Sequence, residues 1–413
     1  MGIRTAPVDL SAAPVEASDA GVYVHFPYCA QKCPYCDFNS HVRPHDDARY
    51  ADAILAELEG RGDALVVPAR GLSSIYFGGG TPSLWAPEAV ARVIAAIRAR
   101  WTVADDVEIT LEANPGTVDE ARFGGFRAAG VNRFSLGCQS FDDAELKALG
   151  RIHDAQASFR AVRAAQSTGA RVSLDLIYGL PGQTEADALA SVRTALELAP
   201  DHLSAYTLTI EPETVLARRT ALGLFKPMPD DDQAALIERV SDALADAGYA
   251  RYEISSYARA GRVSVHNTLY WLGGAYLGVG AGACSYLPTT DLREAERREN
   301  LRAPERYLDD ALARRHEAGF EETLDPLGIL KDRLMVGFRT AFGLDAGALE
   351  REFASFGFRT SALEEALRGL ERQGRLEARQ GRWRPTFRGL LFNDAIARDM
   401  LEVAEACLPM APR

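Results

Sequence analysis

Residues 22–36 read VYVHFPYCAQKCPYC. The first five residues place β-branched Val22 and Val24 on one face and Tyr23 and His25 on the other, the period of a β-strand. Pro27 ends the strand, and three thiols follow within eight residues at the spacing CxxxCxxC, at Cys29, Cys33 and Cys36. Phe38 stands where one further cysteine would extend that string. A strand that runs straight into a thiol-bearing loop joins fold to chemistry, and it is the first of six such units. Further strands are predicted at 72–77, 106–113, 133–137, 171–179 and 202–208. Amphipathic helical stretches at 47–60, 87–100, 119–130 and 185–199 lie between them. Strands that alternate with helices imply parallel pairing through crossovers. The expected fold is α/β: a partial (βα)6 TIM-like barrel, with a doubly wound open sheet as the alternative.

Each strand ends in polar, glycine-rich or thiol-bearing sequence: PYCAQKCPYC, GGGTPS (78–83), NPGT, CQSF, LPGQT and IEPET. Parallel βα folds build their sites at that end, because the loops converge there. Any one of these loops taken alone would pass for a tight turn.

Three bunched cysteines out of six in 413 residues form no disulfide framework and point to a metal site in a reducing compartment. Two metals suit the spacing. Zinc would take His25 or His41 as a fourth ligand. A four-iron cube held by three cysteines would keep one iron free of protein ligand. Cys138, Cys284 and Cys407 are expected to be buried small hydrophobes.

CAQKCPYC after a first strand, with GGGTP after a second, resembles the radical S-adenosylmethionine (SAM) superfamily. The resemblance implies a [4Fe-4S] cluster on Cys29, Cys33 and Cys36, whose open iron is chelated by SAM, and a reductant for that cluster. It also implies SAM contacts at Tyr23, Tyr35, Gly79, Gly80, Thr81, Glu112, Gln139, Arg151 and Asp175. Glycines 78–80 would let the backbone approach a ligand and offer N–H groups to its carboxylate. No catalytic residue is assigned.

Within the superfamily, YVHFPYC, GGGTPS, GCQSF and DLIYGLPGQT resemble the coproporphyrinogen branch. One arm of it, the oxygen-independent coproporphyrinogen III dehydrogenases, carries a further cysteine two positions after the third and a longer N-terminal segment. This chain has Phe38 there and about twenty residues before its first strand. CPYCDFNSH, together with HNTLYW at 266–271, resembles the other arm, the HemW-type haem chaperones and their HNxxYW element. That resemblance implies haem as ligand, His266 as its iron ligand and an acceptor protein, and dimerisation is compatible with it. The alternative function is oxidative decarboxylation of a porphyrinogen.

Four regions are expected: a loose tail (1–20), the barrel (21–225), a connecting region with HNTLYW and a glycine-rich segment (226–325), and a C-terminal winged-helix-like module (326–413). An acidic stretch at 225–233 reads as a linker. A net charge of −12 argues against a large nucleic-acid surface. The third helix of the C-terminal module, with at least as many acids as bases, argues the same way. The first twenty residues lack a signal-peptide core, and Ala6 stands where a myristoylation site wants Ser or Thr. No run reaches the ~18 apolar residues of a membrane span. A cytoplasmic location is expected.

Overall fold

In the computed structural model, which describes residue 10 and residues 12–408, the strand–helix alternation is realised in full. The chain runs β1 (Ala20–Phe26), α1 (Asp47–Arg61), β2 (Leu72–Gly79), α2 (Pro87–Arg100), β3 (Val103–Ala113) and α3 (Glu120–Ala129). It continues through β4 (Arg133–Gln139), α4 (Asp143–Ala148), α5 (Ala155–Ser167), β5 (Arg171–Tyr178), α6 (Glu185–Glu197) and β6 (His202–Thr207). Strands β1 to β6 are parallel and hydrogen-bonded in chain order. A doubly wound sheet reverses its strand order at a switch point; this one does not, so the partial-barrel expectation holds. The helices start where short polar side chains satisfy free N–H groups. Asp46, Asp119 and Asp154 accept from the first turns of α1, α3 and α5, and Thr184 and Asp187 form a reciprocal capping box on α6. Each such cap stabilises its helix by about 0.5–2 kcal/mol.

The following segment extends the same sheet at both edges. After α7 (Val215–Ala221) and α8 (Asp230–Asp246), β7 (Ala250–Arg251) and β8 (Ser256–Ala258) add antiparallel strands beyond β6. Then α9 (Val265–Trp271) leads to β9 (Ala275–Val279), which pairs parallel with β1. Strands β10 (Cys284–Pro288) and β11 (Ala295–Asn300), helix α10 (Pro304–Leu312) and β12 (Ala318–Leu324) complete a twelve-stranded sheet among the described residues. The stretch expected to be a linker opens α8 instead. Asp230, Asp231 and Asp232 occupy its first turn, where carboxylates favour the positive end of the helix.

Residues 12–19 of the expected loose tail pack against the body. Val15 is 4% exposed, and Asp19 accepts from the Glu16 N–H and pairs with Arg70. Residues 1–9 and 11, which include the myristoylation-like start and Ala6, lie outside the described residues. The C-terminal module comprises α11 (Pro326–Gly337), α12 (Ala346–Phe353), α13 (Thr360–Arg372), the hairpin β13 (Leu376–Arg379) and β14 (Arg382–Pro385), α14 (Phe387–Leu391) and α15 (Asn393–Cys407). It has its own core around Leu334, Phe338, Phe353, Leu367 and Met400. This is the three-helix-plus-hairpin order of a winged-helix-like module. No described helix is long and apolar enough to cross a membrane.

Inside the barrel the strands present polar side chains that pair with one another. Arg133 and Glu108 are buried 3.8 Å apart, Arg171 lies equally far from Glu108, and His202 bridges Ser173 and Tyr252. Glu108 also accepts from the N–H groups of Val265 (2.9 Å) and His266 (3.4 Å), which fixes the start of α9. Ser74 on β2 is in register with Glu108, so α9 covers the N-terminal end of the strands.

Candidate functional site

The thiol loop is closed at its base by backbone pairing. Cys29 N–H donates to the His41 carbonyl (3.0 Å), and His41 N–H donates to Pro27 (2.7 Å). His25 braces the same loop from the barrel interior. Burial pulls its pKa down to about 4, so the ring is neutral and one nitrogen donates while the other accepts. Nε2 faces the Asn39 carbonyl at 2.9 Å and must donate, which leaves Nδ1 to accept from the Tyr23 hydroxyl at 2.9 Å. The Asn39 side chain then donates to the carbonyls of Ala281 and Arg302, tying the loop to the segment after β9. Gly79, at φ 111°, lies against the His25 ring, and a Cβ there would stand 2.5 Å from it. Only glycine fits both constraints.

Cys29, Cys33 and Cys36 are unpaired and half-buried, and all line one cavity of about 390 Å³. Burial raises the Cys29 and Cys36 thiols, so ionising them requires a compensating charge. Donors already point at the sulfurs: Thr81 Oγ1 lies 3.3 Å from Cys29 Sγ, and Arg151 Nη1 lies 3.4 Å from Cys33 Sγ. Such donors favour thiolate, the form that binds metal. Three thiols on one loop, with donors aimed at two of them, fit a cluster held by three cysteines.

The cavity's other walls carry Tyr35, Gly79, Gly80 and Thr81 from the first two loops, Glu112, Gln139 and Asp175 from the next three strands, and Arg151 from the α4–α5 connection. Glu112 accepts from the Tyr76 hydroxyl (2.8 Å) and the Gly79 N–H (3.1 Å). Burial, with the Asp175 charge adding to it, raises its pKa to about 7 against those two donors. Burial also raises Asp175, which accepts from Ser135 at 3.4 Å. Gln139 sits at φ 66°, in the left-handed region, where the β4–β5 register shifts. A non-glycine residue there costs about 1–2 kcal/mol, a strain that collects at functional sites. Tyr23 does not line the cavity. It lies beneath, stacked on Tyr76 with ring centroids 6.1 Å apart, and acts on the loop through His25. Sequence reasoning missed Tyr76 as the residue that holds Glu112. Alternation along β2 places Tyr76 on the same face as Ser74 and Gly78, and that was the available signal.

The structure does not hold His266 ready for iron. The residue is 1% exposed in the barrel interior, beneath the cavity and beside Tyr23 and Tyr76, with Nδ1 2.8 Å from Ser74 Oγ and Nε2 2.7 Å from the Tyr270 hydroxyl. The ring stacks on Tyr76 at 4.9 Å, and burial, with the Arg133 charge, lowers its pKa to about 3. The HNxxYW helix therefore has two faces. His266 and Tyr270 turn inward, while Asn267 and Trp271, also four residues apart, share another face. Cys138 and Cys407 are buried as expected, but Cys284, the first residue of β10, is exposed.

A radical SAM superfamily model matches residues 23–195. The chain is 40% identical over 380 residues to a haem chaperone HemW of Haemophilus influenzae, covering 90% of this chain and 95% of the relative. It is 37% identical over 413 residues to a haem chaperone HemW of Mycobacterium tuberculosis, covering 97% and 100%. The solved structure of Escherichia coli coproporphyrinogen III oxidase (HemN), a radical SAM enzyme, shares the fold, with a TM-score of 0.75 and 22% identity over 93% of this chain and 90% of that one. The three-thiol loop, the glycine turn facing it and these near-full-length matches together place the chain in the HemW haem-chaperone family of the radical SAM superfamily.

Proposed function

We propose that the chain binds haem on a radical SAM scaffold and passes it to an acceptor protein in the cytoplasm. The near-full-length similarity to relatives named as haem chaperones carries this reading. Phe38, 58% exposed on the cavity wall, supports it, since the decarboxylating arm is expected to carry a cysteine there. Cys29, Cys33 and Cys36 hold a [4Fe-4S] cluster, which supplies one-electron chemistry at the sulfonium of SAM when both are bound. Gly79 and Gly80 would leave room for the SAM carboxylate, and Glu112, held by Tyr76 and Gly79, would be the acceptor for its hydroxyl or ammonium groups. Arg151 secures Cys33, and Tyr35 and Thr81 close the rim.

Two measurements test the function. Incubation of the reduced, SAM-loaded protein with coproporphyrinogen is expected to give no protoporphyrinogen; conversion would assign the chain to the decarboxylase arm. Haem titration is expected to give a saturable Soret band with one site per chain. Ligation by His266 requires its ring to exchange both hydrogen bonds for iron. In the conformation seen here the expected result for His266→Ala is an unchanged Soret maximum. A shifted maximum with affinity weakened about ten-fold or more would restore His266 as ligand, at ~1.4 kcal/mol per decade.

The raised pKa of Glu112 makes SAM affinity pH-dependent. The carboxyl takes up a proton as pH falls through about 7, losing its charge towards the ligand. Affinity is expected to fall by up to about ten-fold per pH unit below that point. In the ligand-free protein the sign is opposite. A proton held more tightly than at the ordinary 4.5 stabilises the fold at low pH, and that contribution is lost as pH rises through about 7. Equilibrium dialysis between pH 6 and 8 checks the first statement, and Glu112→Gln should flatten the profile.

A further inference from the structure

Beneath the cofactor cavity three rings lie in one stack. Tyr23 on β1, Tyr76 on β2 and His266 on α9 are close to parallel, at interplanar angles of 21–28°. The tightest pair is Tyr76 with His266, 4.9 Å between centroids, and Tyr23 stands 6.1 Å from each. The β1–β2 register sets Tyr23 directly opposite Tyr76, which brings the two phenols side by side. Gly78, the first glycine of the GGGTP turn, leaves room for them. A Cβ there would stand 2.9 Å from the Tyr76 ring and 3.0 Å from the Tyr23 ring. This glycine therefore serves the rings under the site, whereas the sequence suggested a ligand-facing role for all three.

His266 is the fixed member of the stack. Ser74 Oγ holds Nδ1 at 2.8 Å, the Tyr270 hydroxyl holds Nε2 at 2.7 Å, and the backbone N–H is anchored on Glu108. A neutral imidazole spends both nitrogens in such a pair of bonds, one as donor and one as acceptor. What the ring still offers is its faces, and Tyr76 packs on one of them. Tyr76 in turn reaches the cavity. Its hydroxyl donates to Glu112 Oε1 at 2.8 Å, while the Gly79 N–H donates to Oε2 at 3.1 Å. A hydroxyl bond to a carboxylate depends on both distance and direction, so a phenol free to pivot would lose it. The ring against which Tyr76 lies limits that pivoting.

We propose that His266 is a positioning residue for the SAM site, holding the Tyr76 ring so that its hydroxyl keeps Glu112 oriented in the cavity wall. The proposal rests on the SAM site assigned above. It uses the histidine as it stands here, with both nitrogens bonded, and needs no iron on the ring.

The test measures SAM affinity by equilibrium dialysis on full-length, cluster-loaded proteins matched in iron and sulfide content. His266→Asn keeps an amide beside Ser74 but removes the ring, and is expected to weaken SAM binding about five-fold or more. His266→Phe keeps a ring in the stack and loses both nitrogens, and should bind SAM within about two-fold of wild type. Tyr76→Phe removes the hydroxyl alone. In that background His266→Asn should cost less than about two-fold more, because the bond it acts through is already gone. Ser74→Ala frees one side of the imidazole and leaves the stack whole, and should weaken binding about two-fold to three-fold. Where His266→Asn fails to fold, Ser74→Ala decides alone. Wild-type SAM affinity in these two variants, a loss in His266→Phe as large as in His266→Asn, or the full loss on top of Tyr76→Phe overturns the proposal alone. Failure of wild type to bind SAM at all removes the cofactor assignment with it.

Discussion

Replacing Cys29, Cys33 or Cys36 singly with alanine abolishes the cluster: anaerobically purified variants are expected to carry no more than a few per cent of the wild-type iron and acid-labile sulfide, and to lose the broad visible absorbance. The three thiols share one short loop, and the cavity's opposite wall is glycine backbone, carboxylates and an arginine that already serves Cys33. No fourth thiol lines the cavity: Cys138 is buried, Cys284 begins β10, and Cys407 ends α15. Two remaining thiolates cannot retain a cube that three were built to hold. Wild-type iron and sulfide in all three variants would refute the assignment, and stoichiometric zinc without sulfide in the wild type would replace it with the other metal the spacing allows.

Glu108→Ala should destabilise the fold by about 3–5 kcal/mol, the cost of leaving a buried charge without its partner. Arg133 is buried beside Glu108, so the substitution strands a guanidinium in the barrel interior. It also removes the acceptor for the first N–H groups of α9. Glu108→Gln keeps an acceptor for those groups but discharges the pair, so its loss should be smaller. Urea unfolding of the three proteins, with the slope of the transition unchanged, measures the difference. A loss below about 1 kcal/mol for Glu108→Ala would show that the interior reorganises around a lone Arg133.

The thiol loop, the glycine turn and the six alternating units were legible from residue order. A strand's period of two and a helix's of 3.6 are local properties, and ligands to one cluster can sit on a single loop. The cofactor wall was legible for a related reason: parallel strands bring their C-terminal ends together, so Glu112, Gln139, Arg151 and Asp175 could be assigned to one mouth before any distance was known. Tyr23 marks the limit of that logic. It belongs to the first strand's inward face, yet it stands one layer below the cavity and works through His25.

What residue order could not supply was pairing over long separations. The segment 226–325 reads as a connection, but its strands have edges to pair and join β1 and β6 on either side of the barrel. HNTLYW shows six residues of aromatic and imidazole chemistry without saying which face of a two-turn helix meets water. Desolvation decided that: the barrel interior offered Ser74, Tyr76 and Glu108 to His266 and its backbone, so the histidine went in and Trp271 was left beside the arginines of a module sixty residues further on. Chemistry carried by neighbours in the chain was determined by the sequence itself. The burial of a side chain, and with it the atoms left to bind a ligand, was decided only when distant strands and helices closed around it.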